Sequence, residues 1–207
     1  MIRLKITTLF LTILFLGCKE PTEEVFLNYK EHEKEILDAK KYFSSIMPND
    51  VAFYIKFHPK DKVDFTLRQK NYWNKSSWLK SPIFDEYGQY REFDIDMNSG
   101  ELSLALDLIN IDRKKLEKIR RYLNKANCIS ISKNFNFQLD TASAYISIGY
   151  PTADLYGLNY IMFENSMSSK LMADINDACN YKKINNKVLV EYGGPAFGSN
   201  CFPDKRD

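Results

Sequence analysis

Four cysteines and two histidines are the residues of this 207-residue chain best suited to nucleophilic or metal chemistry. They are Cys18, Cys128, Cys179 and Cys201, with His32 and His58. A catalytic thiol needs a base beside it. His32 falls on the polar side of a helical pattern, and His58 precedes Pro59 in a loop pattern, so neither makes a readable dyad with Cys128. Cys128 reads instead as a small buried residue at the start of a strand. Zinc sites place Cys and His at short, fixed spacings, and these residues are scattered. Asp94, Asp96 and Asn98 alternate like the opening of a calcium loop. Ser99 then stands where that loop turns on glycine, and Ala105 where it needs a bidentate glutamate. The run Gly193-Gly194-Pro195-Ala196-Phe197-Gly198-Ser199 lacks the lysine of a phosphate loop, and no crossover helix can follow it. There is no Gly-x-Ser-x-Gly elbow. No carboxylate pair is marked by spacing as acid and base. The expectation is therefore no catalytic residue, no metal and no cofactor.

Binding chemistry has one candidate. Tyr72, Trp73 and Trp78 lie among Lys70, Lys75 and Lys80. Aromatic rings beside cations suit a glycan or a protein partner when they are exposed. The competing reading is a covered part of the core. Charge is also segregated. Lys114, Lys115, Lys118, Arg120, Arg121 and Lys125 crowd one helical stretch, after an acidic block that runs from Asp85 to Asp107. Such runs are normally solvated faces; the sharper reading is a pair of complementary binding patches.

These residues need elements to position them. Asn28, with Glu31 three residues on, reads as a helix start, and Ile36, Ala39, Phe43 and Ile46 continue it until Pro48. Val51, Phe53, Ile55 and Phe57 alternate as a strand, and Val63, Phe65 and Leu67 return as its hairpin partner. Residues 70–90 show no sustained period, with a short helix expected after Ser81-Pro82. Phe93, Ile95 and Met97 alternate again, Asn98-Ser99-Gly100 turns, and Leu102, Leu104, Leu106 and Leu108 alternate back, which predicts a second hairpin. Asn110 or Asp112 caps a second helix carrying Leu116, Ile119, Leu123 and Ala126. Strands are expected at 128–132, 135–139, 143–149 and 156–163. A third helix runs from Ser168 to Ala178, and a last hairpin turns on Asn185-Asn186. The tail 193–207 reads as loop. Hairpins broken by helices give an α+β fold, with antiparallel sheet built from hairpins and about three packed helices.

The start of the chain carries an address. Arg3 and Lys5 precede an apolar run from Ile6 to Leu16, and Gly17 meets Cys18. The run is too short to span a bilayer and has the order of a secretory signal. With Leu14-Phe15-Leu16-Gly17-Cys18 it resembles a bacterial lipoprotein signal, or lipobox. The resemblance implies diacylglycerol on the Cys18 thiol, cleavage before Cys18 and acylation of the new amine. Two or more chains anchor stably. Lys19, rather than an aspartate, leans the expectation toward the outer membrane over the inner one. Residues 1–17 are thus expected as signal, 18–27 as a flexible tether and 28–207 as one α+β domain. Cleavage removes Arg3 and Lys5 and no acid, so the 27 acidic residues are then matched by the remaining bases and the net charge is close to zero. No nucleic-acid partner is expected.

Outside the cytoplasm a disulfide persists. Cys179 and Cys201 flank the last hairpin, so they are the expected pair, with Cys128 left over. The stretch from Glu191-Tyr192-Gly193-Gly194 to Asn200-Cys201-Phe202-Pro203, with Asn127-Cys128-Ile129-Ser130-Ile131, is similar to uncharacterised bacterial lipoproteins, a likeness that implies no activity. The leading expectation is a lipid-anchored, non-enzymatic binding domain of the cell envelope, with an immunity or inhibitor role as one version. An envelope hydrolase or thiol enzyme and a structural subunit of an outer-membrane assembly are the alternatives.

Overall fold

The computed structural model describes residues 21–49, 51–69, 88–133, 145–151, 157–194 and 198–205. Cys18, Tyr72, Trp73 and Trp78 lie outside the described residues, as do the expected strand at 135–139 and the short helix after Pro82.

The first helix, α1, spans Pro21–Ile46. It starts seven residues before the expected Asn28, so residues 21–27 of the expected tether are helical. Proline is pre-set for the first turn of a helix, and Glu23 and Glu24 favour the positive end of the helix dipole. Val25 is already fully buried. Asn28 is not a cap. It is 4% exposed inside the helix, and its amide bonds across to other elements.

Strands β1 (Val51–Phe57) and β2 (Lys62–Gln69) form the expected hairpin, with Ile55 opposite Phe65. Strand β3 (Gln89–Asp96) adds to β2 through a bulge. The expected return strand after it is instead a helix, α2 (Gly100–Asp107). Ser99 caps it, its hydroxyl accepting the Leu102 N–H at 3.1 Å. Leu102, Ala105 and Leu106 are buried, while Leu104 is 57% exposed. Leu102, Leu104, Leu106 and Leu108 fit period two, but Leu102, Ala105, Leu106 and Ile109 fit the helical period equally well. The cap and the strong helix formers decide between them.

Helix α3 (Arg113–Lys125) begins at its Asp112 cap, whose carboxylate accepts the Lys115 N–H at 2.7 Å. Strands β4 (Ser130–Lys133), β5 (Tyr145–Tyr150) and β6 (Leu158–Phe163) follow. Then come α4 (Ser169–Asp177), capped by Ser168, and the hairpin of β7 (Tyr181–Asn185) with β8 (Val188–Gly194). The tail is not all loop. A short β9 (Gly198–Ser199) folds back on Gly193 and Gly194 of β8, and a single 3-10 turn spans Pro203–Lys205.

The main sheet has the order β3-β2-β1-β4-β5-β6-β8-β7, and all its described pairings are antiparallel. One face carries Phe53, Ile55, Phe65, Ile131, Ile148, Tyr160 and Val190 into the main core, against α1 and α3. The other face carries Ile161, Phe163, Tyr181 and Leu189 under α4, through Ile175 and Leu171. The fold is α+β with packed helices, as the sequence predicts. No helix among the described residues is long and apolar enough to cross a membrane.

Candidate functional site

Helix α1 lies antiparallel to α3. Asn28, early in α1, meets the end of α3 at Ala126, while Tyr42, late in α1, lies tilted against Tyr122 with ring centroids 5.2 Å apart and under Lys118, nearer the start of α3. The loop from α3 to β4 and the end of β5 close against the first turns of α1. There they form an open cleft of about 250 Å³, lined by Glu24, Leu27, Asn28, Glu31, His32, Asn127 and Tyr150.

The floor is built by Asn28. Its Nδ2 donates to the Ala126 carbonyl at 3.2 Å and to the Tyr160 hydroxyl at 3.0 Å. Its Oδ1 accepts from Asn127 Nδ2 at 3.0 Å. The Tyr160 hydroxyl donates in turn to the Val25 carbonyl at 2.7 Å. Buried polar groups of this kind are costly unless paired, and these are paired. Asn127 holds a left-handed backbone, φ 50°, which asparagine tolerates better than most residues.

The walls are acidic. Glu24, Asn28 and Glu31 recur at helical spacing, so one ridge of α1 offers two exposed carboxylates. His32 interrupts the helix with φ −122° and ψ 21°, which kinks α1 at the cleft. Burial, with the Glu24 charge next, raises the Tyr150 hydroxyl above the usual tyrosine range. Tyr150 lines the cleft opposite these carboxylates. The arrangement offers acceptors, one imidazole and an exposed Leu27. It suits a polar ligand with donors or positive charge.

Cys128 sits behind this floor, 2% exposed. Its thiol donates to the Ala126 carbonyl at 3.2 Å, and burial pushes its pKa up to about 12. A thiol held protonated is a poor nucleophile. His58 follows the end of β1, where Nε2 lies 2.8 Å from Asp64 Oδ2. Neither histidine pairs with the thiol. Asp96 uses its carboxylate to hold the turn, accepting from the Asn98 N–H at 2.7 Å and from the Asn98 side chain at 2.9 Å. Among the described residues no three His, Cys, Asp or Glu side chains group to hold a metal.

Cys179 and Cys201 are joined in a disulfide, as expected. The bond is part of a larger clasp. Phe202 is fully buried against Tyr192 and Phe26, and its N–H reaches the Cys179 carbonyl at 2.9 Å. Lys182 lies over the Phe202 ring and pairs with Asp204 at 2.6 Å. Lys205 reaches the last carbonyls of α4, including Ala178 at 3.1 Å. These bonds fix residues 201–205 to the C-terminal end of α4 and to β7.

The cleft residues were not expected together. The sequence alone assigns Glu24 to the tether and Asn28 to a cap, which leaves the spacing of Glu24, Asn28 and Glu31 without meaning. Read as one continuing helix, that spacing is the available signal. Comparison with known proteins adds no identification: no family model matches the chain, and neither a curated protein nor a solved structure matches it.

Proposed function

We propose that this chain is a lipid-anchored protein of the bacterial cell envelope whose domain binds a partner rather than turning over a substrate. The anchor is Cys18, on the lipobox-like sequence before it. The outer membrane is the favoured location, from Lys19. The cleft is the favoured binding site.

One observation carries the binding reading. The open polar cleft is walled by the helix that begins three residues after Cys18. Three residues span at most about 10 Å. An acylated Cys18 would therefore hold the cleft close to the membrane surface, facing other envelope components. The buried thiol and the self-satisfied asparagine floor support recognition over chemistry.

A photo-crosslinking residue placed at Leu27, on the cleft rim, tests this in intact cells. The expected result is a discrete adduct that a control residue at Lys183, on β7, does not give. Equal labelling patterns at the two positions would overturn the binding reading.

A further inference from the structure

Four of the cations on α3 form a single outward stripe. Lys114, Lys118, Arg121 and Lys125 are spaced by four, three and four residues, and all four are exposed. At 100° per residue they fall within an arc of about 60°. That arc is opposite the buried Leu116, Ile119 and Leu123. The other cations of the helix are spoken for. Arg113 pairs with Glu117, Arg120 pairs with Asp61, and Lys115 reaches the Asn110 carbonyl at 2.7 Å. The acids of the helix are likewise engaged: Glu117, which flanks the stripe beside Lys114 and Arg121, pairs with Arg113, and Asp112 holds the cap. Within the stripe, Lys118 rests 4.4 Å from the Tyr42 ring centre, and none of the four forms an ion pair among the described residues. The stripe is about 16 Å long.

Its orientation relative to the start of the chain matters. Because α1 and α3 are antiparallel, Lys125 lies at the end of α3 that meets Asn28 in the early turns of α1, through the neighbouring Ala126. Asn28 is seven residues into α1, about 10 Å along its axis. With three residues of reach before Pro21, the near end of the stripe is within about 20 Å of Cys18. Lysine and arginine act on a charged surface only within about a Debye length, roughly 8 Å at physiological salt. Lying flat at the bilayer would bring them there.

We propose that the α3 stripe docks on anionic phospholipid headgroups of the membrane that holds the anchor, so that the domain lies on the surface instead of swinging from its lipid. This rests on the anchor reading. A single cation contributes little, but a stripe and an acyl anchor act as two linked membrane signals.

The test uses the processed, acylated protein in lipid nanodiscs, with a donor dye on Asn124→Cys and an acceptor on headgroups. In discs containing phosphatidylglycerol, energy transfer is expected to exceed that in phosphatidylcholine discs severalfold, and to fall toward the latter as salt is raised. The variant K114Q/K118Q/R121Q/K125Q is expected to lose the difference while remaining in the discs. Equal transfer in both lipids overturns the docking and leaves the stripe to a protein partner or solvent. Failure of the protein to enter discs at all overturns the anchor, and with it this proposal, and is seen separately as absence of co-purification.

Discussion

At the scale of single residues, Cys128 and Asn28 decide what the cleft is. Cys128 holds its proton because the charged thiolate would be stranded among buried groups. In the unfolded chain the same thiol ionises near its ordinary value. Its folded pKa, about 12, lies above that. The stability it supports is therefore complete below about pH 8.5 and is lost as pH rises toward 12, by at most about 1.4 kcal/mol per pH unit. Urea unfolding from pH 8 to 11 should show this slope, and Cys128→Ala should flatten its first part. An equal slope in the variant would contradict the burial argument. Consistent with it, Cys128 should resist thiol reagents until the protein unfolds. The burial of Cys128 was legible in the sequence, since a lone apolar-flanked cysteine at a strand start is normally packed. The role of Asn28 was not. An asparagine before a helical pattern looks like a cap whatever its true partners, and those partners, Ala126, Asn127 and Tyr160, are distant in sequence.

At the scale of elements, the C-terminal clasp joins the last hairpin to α4. The disulfide spans 22 residues. Closing a loop of that size stabilises a fold by about 3 kcal/mol in the chain-entropy model. C179S/C201S should therefore unfold at lower urea by about that amount, with Phe202 and Lys205 retaining part of the tail contacts. A change below about 1 kcal/mol would show that those contacts carry the clasp without the bond. This pairing was readable because hairpin geometry is local. The hairpins of β1 with β2 and of β7 with β8 were readable for the same reason, as was α3 with its Asp112 cap. Helix α2 was misread because eight residues hold too few periods to separate alternation from a helix, and the deciding signal was the Ser99 cap. The start of α1 was misread because Glu23 and Glu24 look like a charged linker. Their packing neighbour Val25 shows its burial only once β6 lies across the helix and Tyr160 reaches its carbonyl.

At the scale of the whole molecule, the sheet order is what the sequence hides. β1 is flanked by β2, its hairpin partner, and by β4, which arrives only after two helices and a third strand. Nothing in either strand's pattern names the other, because both are simply apolar on one face. The same topology sets α1 and α3 side by side, and so places the cleft and the Lys125 end of the cationic stripe beside the first turns of α1. The proposed cleft binding and α3 docking both require that end to be tethered to a membrane. The most direct measurement is the intact mass and N-terminal fragment of the protein purified from a bacterial envelope. The expected chain starts at Cys18 and carries diacylglycerol and acyl mass on that residue. A chain that retains residues 1–17, or starts elsewhere with an unmodified Cys18, would contradict it.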